Sequence, residues 1–483
     1  MPETRRFVLF ELNEVPLRVV HHFADRHPGS AFARILSQGL RWDTVTPDQG
    51  HLSPWITWPT LHRGVAEVKH GLVALGQDVS AVDRKYPPIW SMLAAAGRRV
   101  GLFGSLHSYP LPANAERYAF YVPDTFAAGP EAHPPELSAF QSFNLNMVDR
   151  SGRNVSSGLP VKEAVNFLVR AFPAGLRPAT LAKIFRQLAS ERIWRHRSAR
   201  RRTIQSLLAF DLFYAQLQSK RPDGAFFFSN HVASSMHRYW PATFTDDYRT
   251  TQWQSDWVKR FAGEVDYAMG EADQMLGDLM AFADQNPEYV VLVSGSMGQA
   301  AVDDPNRKVT TEVLVRDMAR FVAGLGVTGG WQRRRTMEPT YTLAFDEERG
   351  AERFIEAISA LRIAGQPVAH RRLDAHGAEF VLGQSNLDDD QLNVLVGNRS
   401  VQPEEIGIAN VPIEDEVGAA AYHVPEGMLL TYDPRQKHRS NHVAGTVSTT
   451  RIAPTLLALQ GVEPPSYMDP PLEDLLVRER ELA

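Results

Sequence analysis

Short β-rich apolar runs, spaced by helical stretches, constrain this chain more than any other feature. Phe7–Leu12 (FVLFEL) is too short and too rich in strand formers for a helix, and reads as a buried strand. Val100–Phe103, Ala225–Phe228, Tyr289–Val293 and Met428–Tyr432 read the same way. Helical patterns fall between and after them: Val19–Ala24, Ile89–Ala96, the long Asp256–Ala283 stretch and Ser448–Leu459. Strands alternating with helices predict an α/β fold on a largely parallel sheet. Such sheets collect function just beyond the C-terminal ends of their strands. The loops after Leu12, Phe228 and Val293, and the turn near Gly427, are therefore where chemistry is expected.

At 483 residues the chain exceeds one minimal domain. Residues 1–149, 223–310 and 419–483 read as the α/β core, with two insertions. Residues 150–222 lack core strands and hold a basic helix, with eight Lys/Arg from Lys183 to Arg202 against one acid, Glu191. That reads as a solvated face or lid, with an anion-recruiting patch as the alternative. Residues 311–418 carry a strand (Tyr341–Phe345), a helix (Ala351–Leu361) and a return strand (Ala378–Leu382), a small α+β insertion. Cysteine is absent, which excludes disulfides, thiolate metal ligands and a cysteine nucleophile. Any metal must sit on His, Asp, Glu, Asn or hydroxyl ligands. The net charge of −5 gives no global case for nucleic acid or an anionic membrane as partner. No window approaches the roughly 18 consecutive apolar residues of a membrane helix. The run Phe7–Phe10 is too short for a signal-peptide core, so cytoplasmic residence is the default.

Four loci could carry chemistry. Glu11-Leu12-Asn13-Glu14 ends the first strand, and the period of 2 puts Glu11 and Asn13 on one side. Thr57 lies in a Trp/Pro-constrained loop, Trp55-Ile-Thr57-Trp58-Pro59, which would fix the orientation of a nucleophilic hydroxyl; His70-Gly71 follows. Asn230-His231 and His237-Arg-Tyr-Trp240 follow the strand Ala225–Phe228 and resemble a metal half-site. His423 stands in His423-Val-Pro-Glu-Gly427 ahead of a strand. Read separately, a strand-end acid is often a helix cap, Thr before Trp-Pro a turn, and a loop histidine a surface residue.

In this order the loci resemble the alkaline phosphatase superfamily, in its branch of type I phosphodiesterases and nucleotide pyrophosphatases. Asn13 stands where that family has a metal-binding Asp, and Thr57 where it has its nucleophile. Asn230/His231, His237 and His423 match its later ligand positions, and Ile452–Gly461 its closing Ile-Ala-Pro-Thr helix. The resemblance covers roughly residues 7–105, 224–300 and 420–470. It implies a three-layer α/β sandwich and a metal-dependent hydrolase or transferase acting on a phosphoester, with a small phosphorylated molecule as substrate. Two departures bear on mechanism. The family's Asp-His-Gly is here Ser294-Gly295-Ser296-Met297-Gly298, with neither carboxylate nor imidazole, and Asn13 replaces an Asp of the same centre. The expectation is therefore one divalent ion, zinc or else manganese or iron, held by His231, His237 and His423. Asn13, Ser296 and Gln299 would donate hydrogen bonds, and His62, His70, His438 and His442 would matter less for metal. Glu11, sharing a strand side with Asn13, is the best candidate to rebuild the second centre, ahead of Glu14 and Asp303. Two alternatives remain: a degenerate member that binds a phosphorylated ligand without turnover, or the fold reused for other chemistry at a three-histidine centre.

Overall fold

The structure, a computed structural model, describes residues 4–150, 167, 171–249, 253, 255–303, 309–336, 339–412, 420–436 and 443–476. His438 and His442, and residues 151–166 of the basic insertion, lie outside them. Among the described residues eight strands form the central sheet: β1 (Arg6–Leu12), β2 (Leu40–Val45), β3 (Val100–Phe103), β4 (Phe120–Val122), β5 (Gly224–Ser229), β6 (Tyr289–Ser294), β7 (Glu426–Tyr432) and β8 (Val443–Ser448). Their spatial order is β8-β2-β7-β6-β1-β5-β3-β4. Every pairing is parallel except those of β7, which runs antiparallel to both β6 and β2.

Strands buried on both faces should be apolar without alternation, and β1 and β6 are. Successive β1 residues divide between two cores. Val8, Phe10 and Leu12 face one packed by the helices Leu17–Arg26, Arg201–Lys220, His231–Thr243 and Glu264–Gln285. Phe7 and Leu9 face the other, against Trp58, Leu61, Trp90 and the helix Ile452–Leu459. Helices on both faces of the sheet make the three-layer α/β sandwich. A third apolar cluster draws only on residues between Val313 and Ile408.

Four local expectations are corrected. Thr57 lies in a helix, Pro54–Arg63, because Pro54 at its first turn lacks only an N–H that has no helical partner. His231 and His237 are helical too, within His231–Thr243. The long pattern Asp256–Ala283 breaks at Gly263 into Ser255–Phe261 and Glu264–Gln285. The helix Arg201–Lys220, within the segment read as an insertion for its lack of core strands, covers the sheet: Phe213 stacks on Phe227 of β5 at 4.9 Å.

Candidate metal centre

β1, β5 and β6 run parallel and end level, with Leu12 opposite Ser229 and Glu11 opposite Ser294. Their next residues, Asn13–Glu14, Asn230 and Gly295–Ser296, therefore gather at one edge of the sheet. Asn13 keeps the strand going by one bond, its N–H donating to the Ser229 carbonyl at 3.0 Å. Glu14 then turns into the left-handed region, at φ 58°. A non-glycine residue there is strained by about 1–3 kcal/mol, and such strain clusters at functional sites. The turn releases Glu14 from the strand's alternation and directs its carboxylate to two histidines.

His237 reaches that carboxylate from the helix His231–Thr243. His423 reaches it from the short strand Ala421–Val424, paired antiparallel with Gly298–Ala301 so that His423 stands opposite Gln299. Gly298 permits this pairing: a Cβ there would lie 2.2 Å from the Glu426 carbonyl oxygen. His237 Nε2 lies 2.9 Å and His423 Nε2 3.3 Å from Glu14 Oε2. The Gln299 amide also donates to Oε2, and Asn13 Nδ2 donates to Oε1 at 2.7 Å. Among the described residues these three form the group of His and acidic side chains able to hold a metal ion, with ligand atoms within 4.8 Å of one another.

The second ring nitrogens identify what fits between them. His237 Nδ1 donates to the Ala421 carbonyl at 2.7 Å, and His423 Nδ1 to the Leu52 carbonyl at 2.7 Å. Neutral imidazoles so fixed present bare Nε2 lone pairs towards a carboxylate. Two stable arrangements follow: both rings cationic, or a cation between the three ligands. The first sets two imidazolium charges side by side, ring centroids 5.4 Å apart, against a single negative charge. The second is the usual one for ligating histidines, whose outer N–H is held by a carbonyl or carboxylate. With no ion between them, burial would raise the Glu14 carboxyl, but His423 and His237 in their cationic forms outweigh it by charge and hydrogen bonding and hold it well below the ordinary range. Gln299 Oε1, buried and without a hydrogen-bond partner, leaves an acceptor for a further occupant of the site.

Asn13 connects this group to the Thr57 helix. Its Oδ1 accepts from Trp58 Nε1 at 2.7 Å, while Nδ2 serves Glu14 and, at 2.7 Å, Asn230 Oδ1. Both amide hydrogens are thereby used. Thr57 is fully buried, its hydroxyl 2.8 Å from Ser296 Oγ and 3.2 Å from the Ser53 carbonyl. Since the carbonyl can only accept, Thr57 donates to it and Ser296 donates to Thr57.

Two expected metal ligands stand elsewhere. His231 Nε2 donates to the Ala268 carbonyl at 3.1 Å and Nδ1 accepts from Ser229 Oγ at 2.7 Å, which leaves no lone pair for a metal. Burial holds its pKa down at about 4, offset in part by the Ala268 hydrogen bond. Glu11 does share a face with Asn13, and that face meets the helix carrying Trp58 and His62, four residues apart. Asn13 takes Trp58 and Glu11 takes His62 at 2.7 Å, with Ser105 Oγ donating to the other oxygen at 2.7 Å. Glu11 is thus enclosed in the protein interior, away from the three-ligand group. His70 is equally internal, its Nδ1 accepting from the Leu72 N–H and its Nε2 bonded to the Thr60 hydroxyl. The candidate ligand that sequence reasoning ranked too low is Glu14. Its one signal was its place directly after Asn13 at a strand end.

Fold and cluster together define an α/β protein with a candidate Glu/His/His metal centre at the C-terminal edge of its sheet. No protein-family model and no curated protein matches the chain. Among solved structures it is similar to murine ectonucleotide pyrophosphatase/phosphodiesterase 5, at 11% identity and a TM-score of 0.40, covering 96% of this chain and 98% of that one. An inactive form of that murine protein in complex with AMP gives 12% and 0.40, with the same coverage. Wild-type alkaline phosphatase PafA gives 12% and 0.46, covering 99% of this chain and 100% of that one. At such distances the site has to be read from its own geometry.

Proposed function

We propose that the protein is a metal-dependent hydrolase or transferase of phosphoesters, with one divalent ion held by Glu14, His237 and His423. The observation that supports this most is the pair of histidines whose Nδ1 atoms are committed to carbonyls while both Nε2 atoms meet one buried carboxylate oxygen. Three protein ligands leave a position open, as in catalytic rather than structural zinc sites. A bound ion would supply Lewis-acid stabilisation of charge on the phosphoryl oxygens. Glu14 would be the anionic ligand, positioned by Asn13 and Gln299. Thr57 would be the nucleophile or anchor, its oxygen oriented by the Ser296 hydroxyl. The phosphoester is inferred from the resemblance of Thr57-Trp58-Pro59 and His423-Val-Pro-Glu-Gly427 to their family counterparts.

A second reading has an observation of its own. Thr57 is enclosed on all sides, as suits a member that binds a phosphorylated ligand without turnover. Elemental analysis and hydrolysis of bis(p-nitrophenyl) phosphate with added zinc, manganese or iron(II) test the proposal. About one ion per chain and turnover abolished by Thr57→Ala are expected. Metal content well below stoichiometric, with no activation by any ion, would exclude the hydrolase. Stoichiometric metal with no turnover would favour the binding member.

A further inference from the structure

We propose that the outward face of the helix Pro178–Ile193, with the turn after it, docks on an anionic lipid bilayer surface. The helix is built the reverse way round for a surface helix. Its buried positions include Gln187 and Glu191, whereas Phe185, Leu188, Ile193 and the following Trp194 are 65%, 46%, 70% and 46% exposed. A surface helix ordinarily turns its apolar stripe inward.

The polar side is anchored and cannot exchange places with the apolar one. Gln187 donates to Glu191 at 2.8 Å and to the Arg197 carbonyl at 2.6 Å. Arg201 pairs with Glu191 at 2.8 Å, and Lys183 with Glu271 at 2.5 Å. Leu181 and Ile184 lean on the main core from the flank. The exposed stripe is therefore a fixed surface.

Charge selects the occupant. Arg186, Arg192 and Arg195 are exposed around the stripe. The one acid of the segment, Glu191, is buried and paired with Arg201. Apolar side chains edged by arginine are what a helix lying in a lipid interface presents. Arginine stems can lie along the apolar boundary with their charge at the headgroups. Trp194, under the Arg197 guanidinium at 4.2 Å, suits headgroup depth. A second copy of this chain fits poorly, since a two-fold contact through this face would oppose like charges. The overall charge of −5 does not forbid docking, because screening over about 8 Å at physiological salt makes the local field decisive. The described helices include none long and apolar enough to cross a membrane, so contact would be in the plane of the surface.

Flotation of the full chain with vesicles tests this. The unaltered protein should float with phosphatidylcholine vesicles containing about a third phosphatidylserine at low salt, and neither with pure phosphatidylcholine nor at about 1 M salt. Arg192→Ala with Arg195→Ala should weaken binding about 25-fold, roughly fivefold for each charge. Phe185→Ser with Ile193→Ser should abolish flotation while circular dichroism stays unchanged. If that variant does not fold, the salt and lipid dependence of the unaltered protein decides. The proposal is overturned by no flotation with anionic vesicles at low salt, or by equal binding to neutral ones. A concentration-dependent dimer that the serine variant dissolves would overturn it too, by showing the face to be an interface between copies.

Discussion

Asn13→Asp is an isosteric change that reverses the polarity of two contacts. The wild-type amide donates to Glu14 Oε1 and to Asn230 Oδ1, both at 2.7 Å, while its own oxygen accepts from Trp58. Aspartate keeps the Trp58 bond and turns the other two into oxygen–oxygen contacts. The contact with Glu14 is buried, so a lost hydrogen bond and two unsatisfied acceptors cost about 1–3 kcal/mol, and the added like charge costs more. Asn230 is exposed and can turn to solvent, so its share is small. Metal-free protein should therefore lose about 3–5 kcal/mol of unfolding free energy at pH 7, read from urea denaturation. The sign of the pH dependence follows from the same contacts. The introduced carboxyl has a raised pKa in the folded state, so the folded form binds more protons than the unfolded one. Part of the loss should then be recovered as the pH falls and the acid begins to donate to Glu14. A variant within about 0.5 kcal/mol of wild type at pH 7, with no such recovery, would refute the assignment of Asn13 as the link between the Thr57 helix and Glu14.

Glu14→Gln should lower metal affinity at least tenfold, since even loss of a group that only supports a ligand has that effect; metal titration with a competing chelator reads it. Glu11→Ala should cost about 3–5 kcal/mol by leaving His62 buried without its partner, yet the folded variant should bind metal as wild type does; loss of metal would restore Glu11 to the site. His231 should contribute an acid-sensitive part of the stability. Its folded pKa is lowered from 6.5 to about 4, so the unfolded chain takes up the proton first. Stability is complete above pH 6.5 and about 3 kcal/mol of it is lost as the pH falls towards 4, at about 1.4 kcal/mol per unit. His231→Gln, compared with wild type in urea titrations across that range, should show a shallower acid limb.

Fold class was legible in the sequence because a strand buried on two faces leaves a local mark. Phe7–Leu12, Tyr289–Val293 and Met428–Tyr432 lie within β1, β6 and β7. Local pattern also placed Glu11 and Asn13 on one face, and the strand and helix ends at which chemistry gathers. It could not say what that face meets. The Thr57 helix brings Trp58 and His62 to it at the same spacing, which consumes Asn13 and Glu11 in internal bonds.

Likewise nothing in Asn230-His231 separates a ligand from a core histidine, because the deciding partner, the Ala268 carbonyl, is 37 residues away. Period-2 reasoning placed Glu14 on the wrong side for a site shared with Asn13, since alternation holds only while the backbone stays extended. One residue at φ 58° ends it. The sequence by itself determined which side chains are available at the sheet edge, as composition and strand ends are local properties. Which of them converge was decided by tertiary structure alone: Glu14 meets His237 and His423 across more than 200 residues of chain, through a helix and a two-stranded ladder whose strands lie far apart in sequence, which no short-range pattern encodes.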